Sequence, residues 1–354
     1  MTPKPAAALL LIMVSAFLPG CGAPATHTAY MSLPGDDSVA AFRINNRNGH
    51  IATIVESPYP AGTSPASVVV HPSNKFAYVA NQGENDISLF TIDSGIGSLS
   101  EVLPRTPSGV TPVSLDMDSA GKFLFVANEL SDSIGVYSID PDSGALKPIS
   151  GSPFPTFAGP TALKVSPMGK FLFVLNPDLA SIFVYTISSG VLTPVQGSPF
   201  PVGNQPGSMA IDPGEKFVFV PNVAAGTISV LSISAAGALN SIEGSPFPAG
   251  TNPVSATVHP SGKFLFAANF SSNNVSAYAI DASGALTAVT GSPFTANTNP
   301  VLIVSDPNGA FVYVANQGAT PGVWAFGVNT SNGVLTNASE TGTPFAVSSI
   351  AVTN

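Results

Sequence analysis

The sequence repeats itself at a fixed step, and no other feature constrains the fold so tightly. The stretch Lys75-Phe76-Ala77-Tyr78-Val79-Ala80-Asn81 returns five times in variant form, closing on Asn128, Asn176, Asn222, Asn269 and Asn316. The closing Asn steps along the chain by 47, 48, 46, 47 and 47 residues. Self-similarity at that period marks a repeat architecture, whose units cannot bury their own faces and must stack on neighbours.

Each unit reads as four strands. In the second unit, residues 66–70 form a short apolar strand A, and His71-Pro72-Ser73-Asn74 supplies turn chemistry. Residues 76–80 form strand B, with aromatics at alternate positions 76 and 78. A polar loop over 82–86 leads to strand C at 87–92, then a turn at Asp93-Ser94-Gly95 and strand D near 99–103. A second signature, Gly-Ser-Pro-Phe, is expected to follow strand D at 151–154, 197–200, 244–247 and 291–294. The second unit breaks it with Leu103-Pro104-Arg105.

Counting gives seven units. Six full strands B are followed back to a seventh at the start, where residues 29–42 lie on 77–90 without a gap. That first unit has no strand A before it. Residues 348–353 lie on 66–71 at an offset of 282, which is six times 47. The predicted fold is therefore all-β: a seven-bladed β-propeller of four-stranded blades, its ring closed by the C-terminal strand completing the N-terminal blade. Closure removes two exposed sheet edges. Composition agrees, because only 9% of the 354 residues are charged and there are 33 Gly and 34 Pro. Soluble domains usually carry about 25% charged residues.

The Phe/Tyr-Val-Ala-Asn strands, preceded by His-Pro-Ser-Gly-Lys and followed by Gly-Ala-Leu-Thr, resemble the lactonase-type, or YVTN-type, seven-bladed propellers. Bacterial 6-phosphogluconolactonases and a fungal muconate-lactonising enzyme belong to that group. The resemblance covers everything after residue 28. It implies fold strongly and activity weakly, since many such proteins are non-enzymatic. Enzymatic relatives are expected to supply His, Arg and Glu near the channel mouth. This chain has three Arg, at 43, 47 and 105, and no family active site carries over residue by residue.

The repeat places each charge on a face. Lys75, Lys122, Lys170, Lys216 and Lys263 follow the A–B turn and should ring one face. His71, His259, Asp118, Asp212 and Asp306 share one slot in that turn, where side-chain capping explains them. The Asn column ends strand B at the other face, where its amides either satisfy backbone or ring a pocket. That face also holds Asp36, Asp37, Glu56, Glu84, Asp86, Glu129, Asp132 and Asp178, with Arg105 among them. Glu84, Asp86, Glu129, Asp132 and Asp178 are the candidate ligand-binding residues. One-sided acidity suits a cation or a basic partner; loop solvation is the structural alternative. No spacing resembles a calcium loop, and neither a metal nor a cofactor is expected.

Strand A should line the central channel. Its middle position reads Val69, Asp116, Lys164, Ala210, Thr257, Val304 and Ala351 around the ring. Asp116 and Lys164 form either an ion pair serving the channel or an acid/base and anchoring pair. With Arg105 they are the candidate catalytic residues.

Lys4, an apolar run over 6–18 and Leu18-Pro19-Gly20-Cys21 have the form of a signal peptide. Cleavage before Cys21 resembles the bacterial lipoprotein signal, giving a signal over 1–20, a tether over 21–28 and a propeller over 29–354. Export is expected, with lipid anchoring at Cys21 on the periplasmic or cell-surface side, or secretion if Cys21 is unmodified. Membrane contact would be through that anchor alone. The net charge of −9 argues against nucleic acid, and a monomer is expected. Three functions remain in order: a module binding a small ligand or protein partner, a lactone hydrolase at the channel mouth, and a surface structural protein.

Overall fold

A computed structural model describes residues 26–353, so the expected signal segment and Cys21 lie outside the described residues. Seven antiparallel sheets stand around one axis. In the second blade, strands Pro65–Val70, Phe76–Asn81, Asp86–Ile92 and Leu99–Pro107 lie side by side in chain order. The first of them faces the central channel and the last is outermost. The only helices among the described residues are two short 3-10 turns, Pro34–Asp36 and Pro177–Leu179.

Ring closure is as expected. Ser349–Val352 pairs antiparallel with Thr26–Leu33, in the register Ala29 with Val352 through Ser32 with Ser349. The first strand begins at Thr26, paired with Asn45. Three residues expected in the tether, Thr26, His27 and Thr28, are thus part of the sheet, because Asn45, Ile44 and Arg43 give them ladder partners.

Strand B is apolar at every position before its closing Asn because both its faces are covered. Phe76, Tyr78 and Ala80 pack with Leu115, Leu124 and Val126 of the third blade. Ala77 and Val79 pack the other way, with Tyr30, Val39 and Ala41 of the first. Strands buried on both faces read as continuous apolar runs rather than alternating ones.

The Gly-Ser-Pro-Phe signature sits within the outer strand rather than after it. In the third blade the outer edge is split into Leu146–Pro148 and Phe154–Pro155, both pairing with Ser133–Ile139. Between the pieces, Ser152 Oγ accepts the Val136 N–H at 2.9 Å. Ser57, Ser198, Ser245 and Ser292 do the same for Ala41, Val184, Val230 and Ala277. The serine hydroxyl thus occupies a strand N–H that the kinked edge leaves free. The second blade has Leu103 in that slot, and its outer strand runs unsplit to Pro107.

Candidate functional site

Two places gather the residues singled out by the sequence: the central channel and the acidic loop face. The channel is lined by the innermost strand of all seven blades and encloses about 650 Å³. A volume of roughly 300–1,000 Å³ is usual for small-molecule sites. Asp116 and Lys164 meet there, Lys164 Nζ standing 3.8 Å from Asp116 Oδ2. The lysine side chain is 50% exposed and the aspartate 20%. Asp116 Oδ2 also accepts the Val165 N–H at 2.9 Å, and Oδ1 the Met117 N–H at 3.1 Å. The carboxylate is therefore fixed by two backbone donors, while the ammonium stands on a half-exposed side chain.

The pair lies toward one end of the channel. Asp116 is next to last in Pro112–Met117, and Lys164 next to last in Ala162–Val165. Both strands run toward the A–B turns, so the pair sits near the lysine-bearing face and not at the mouth ringed by acidic loops. Lys75, Lys122, Lys170, Lys216 and Lys263 are all exposed on that face.

The sequence analysis missed a register of serines two residues before the charged position. Ser67, Ser114, Ser208, Ser255 and Ser349 accept the N–H groups of Leu115, Leu163, Ala256, Ile303 and Val68, each in the next blade, at 3.1–3.2 Å. Asp116 to Val165 and Thr257 to Ser305 are the same stitch one level on. The signal was present: serine recurs in five of the seven channel strands at the same step. Asp116 thus holds two blades together as well as facing the cavity.

Arg105 is elsewhere. It stands on Leu99–Pro107, the outermost strand of the second blade, three strand spacings from the channel strand. At about 4.8 Å per spacing, that is roughly 14 Å away. It therefore does not reach the Asp116–Lys164 pair, contrary to expectation. Its guanidinium binds Glu84 through Nη1 and Glu101 through Nε at 2.7 Å. The hydrogen bond to Glu101 holds its proton more firmly than usual. Glu101 in turn accepts Ser88 Oγ at 2.7 Å, and Ser88 accepts Asn81 Nδ2 at 2.9 Å.

The acidic candidates divide accordingly. Glu84 is held by Arg105 and Thr63 Oγ1, and Asp86 Oδ1 accepts Asn81 Nδ2 at 2.7 Å. Asp132 and Asp178 are exposed and Glu129 is half-buried, in the loops of the third and fourth blades. Glu56 lies outside this group, in the kink between Ile51–Thr53 and Tyr59–Pro60 on the outer edge of the first blade. No three His, Cys, Asp or Glu side chains among the described residues converge as metal ligands would.

The Asn column and the A–B turns are structural. Asn269 accepts the Gly250 N–H at 3.2 Å and donates to Asn274 Oδ1 and Ser276 Oγ at 2.8 and 2.9 Å. A Cβ on Gly250 would stand 2.6 Å from the Asn269 side chain, so only glycine fits there. Asp212 Oδ1 accepts the Lys216 and Phe217 N–H groups, both at 2.6 Å. His71 Nε2 lies 3.0 Å from the Gly121 carbonyl and its Nδ1 accepts the Ser73 N–H at 3.1 Å, which ties two blades. Asp306 departs from its slot-mates: it is wholly buried, with His27 Nε2 at 3.5 Å, and burial raises its pKa.

A seven-bladed ring with a small-molecule-sized channel defines a propeller class, and the sequence places the chain within it. The lactonase, 7-bladed beta-propeller family matches residues 23–156, 150–254 and 246–349, and the chain belongs to that family. A putative 6-phosphogluconolactonase of Bacteroides fragilis has a similar structure, with a TM-score of 0.81 at 22% identity, over 93% of this chain and 98% of that one. The periplasmic gluconolactonase of Pseudomonas aeruginosa aligns with a TM-score of 0.76 at 19% identity, over 93% and 99%. A 6-phosphogluconolactonase of Formosa agariphila is 36% identical over 69 residues, which take in 20% of this chain and 19% of that relative.

Proposed function

We propose that the protein is a lactonase that opens a small, anionic lactone in its central channel. The observation that carries this reading is the Asp116–Lys164 pair, a carboxylate and a half-exposed ammonium 3.8 Å apart in a cavity of about 650 Å³. Family membership supports ring opening over a scaffold role.

The chemistry follows from the two groups. Ring opening needs a base for the attacking water and positive charge at the carbonyl oxygen. Asp116 is held by the Val165 N–H and keeps lone pairs for a water proton. Lys164 Nζ donates to the oxygen that becomes negative as water adds to the carbonyl carbon. The ring C–O bond then breaks, the leaving oxygen takes up a proton, and the product is the open hydroxy acid. Lys164 also attracts a carboxylate or phosphate on the substrate, and the exposed lysines of the same face raise the local concentration of anions. Arg105 takes no part, because both its edges are engaged by glutamates on the outer strand.

The test is proton release in a pH-stat from a panel of anionic and neutral sugar lactones, 6-phosphogluconolactone included. Turnover favouring the anionic members is expected. Release no faster than in buffer, for every lactone, would leave the family fold here without the family chemistry.

A further inference from the structure

We infer that the loop face over the second to fourth blades is a docking surface for a cationic protein segment carrying an apolar anchor residue. The inference is independent of ring opening in the channel. Four large apolar side chains project from consecutive loops here: Val110, Leu130, Phe157 and Leu179, exposed by 46%, 72%, 82% and 49%. Their loops are tied to one another. Val110 N–H donates to Ser131 Oγ at 3.0 Å, Thr156 N–H to the Asp132 carbonyl at 2.7 Å, and Asn176 Nδ2 to the Ala158 carbonyl at 2.7 Å. Phe157 stacks on Phe183 of the fourth blade at 5.5 Å and 19°, which holds the exposed ring in place.

Exposed apolar groups held rigidly in one region mark an interaction surface, whereas scattered ones need no explanation. Among the described residues, the loops of this face in the fifth to seventh blades carry no large apolar side chain so exposed; Phe345, at 39%, comes nearest. Beside them a cavity of about 370 Å³ opens between Val110, Ser131, Asp132, Pro153 and Pro155. It offers an apolar anchor a place to insert.

Charge selects the occupant. Glu129 adjoins Leu130, Asp178 adjoins Leu179, and Asp132 stands on the cavity wall. Among the described residues only Arg105 offers a cation on these loops, and Glu84 and Glu101 occupy it. An apolar patch with an acidic rim complements a segment that alternates Lys or Arg with an aliphatic or aromatic residue. An anionic lipid surface would be repelled by the same rim.

The experiment uses the full protein and a short synthetic peptide alternating Lys and Leu, with Lys/Ser and Glu/Leu peptides of the same length, read by fluorescence anisotropy. The Lys/Leu peptide is expected to bind about tenfold or more tightly than either of the others. Phe157→Ser with Leu130→Ser should remove that advantage, and so should Glu129→Gln with Asp132→Asn and Asp178→Asn. All five positions are exposed or half-buried, and an unchanged thermal unfolding transition in the variants reports that the fold is intact. Equal binding of the Lys/Ser peptide, or no loss in the Phe157 variant, would overturn the proposal as mere charge attraction. Binding to phosphatidylglycerol vesicles but not to the peptide would overturn it in favour of a membrane. A dimer of the protein that dissolves on Phe157→Ser would overturn it in favour of a second copy.

Discussion

Asn269 is wholly buried, and its amide holds the Gly250 loop, Asn274 and Ser276 together. Leaving such buried partners unsatisfied costs about 1–3 kcal/mol. Asn269→Ala should lower unfolding stability by about that amount in a urea titration, without altering turnover. Asp306 makes a prediction with the opposite sense. Its pKa is raised by burial, so the fold favours the neutral acid. Its contribution to stability is present below the ordinary carboxylate range and is lost as pH rises through the raised folded value. Asp306→Asn should therefore flatten the fall in stability between acid and neutral pH, seen by thermal unfolding across that window. The repeated caps and Asn amides were legible in the sequence, because one turn recurring blade after blade can be compared with itself. Asp306 was not, because His27 beside it comes from the N-terminal strand that the ring brings round.

At the scale of the element, the outer strands of the second and seventh blades are the exceptions. Five other blades use a serine hydroxyl at a kink, whereas Leu99–Pro107 continues unsplit and carries Arg105 between Glu84 and Glu101. The break in the repeat at Leu103-Pro104-Arg105 showed that something differs there. Its meaning needed the partner, since Glu101 lies on the same strand and sequence period says nothing of which groups touch. Arg105→Ala should leave turnover unchanged and lower stability by about 1 kcal/mol or less, an effect that shrinks with added salt. Loss of turnover in that variant would return Arg105 to the chemistry. The channel strands show the same division. Their order and the meeting of Asp116 with Lys164 followed from the period alone. The pair's place near the lysine face followed only from where each strand ends.

For the whole molecule, the closing strand decides whether seven blades behave as one. Ser349–Val352 covers the inner edge of Thr26–Leu33, and Ser349 Oγ accepts the Val68 N–H of the second blade at 3.2 Å. Removing residues 349–354 should leave an open ring with a bare edge, which promotes aggregation. The expected result is a broadened unfolding transition and high-molecular-weight species in size-exclusion chromatography. A sharp transition and a monomer would show that the blades close without it. Blade number, closure and the two faces were all legible before the structure, because the 47-residue step fixes them. The serine stitches escaped notice because a hydroxyl facing a channel resembles any polar lining until the neighbouring N–H is seen.

The central claim is that the Asp116–Lys164 pair is the site of lactone opening, and kinetics of two variants test it most directly. A positioned base contributes about 10²–10⁴ in rate, and a donor to the developing oxyanion about 10²–10³. Asp116→Asn and Lys164→Met, each checked for unaltered unfolding, should each lower kcat/KM on the preferred lactone by about 100-fold or more. For Lys164→Met, the loss should be larger for an anionic lactone than for a neutral one. Turnover within a few-fold of the parent in both variants would contradict the account and move the chemistry out of the channel.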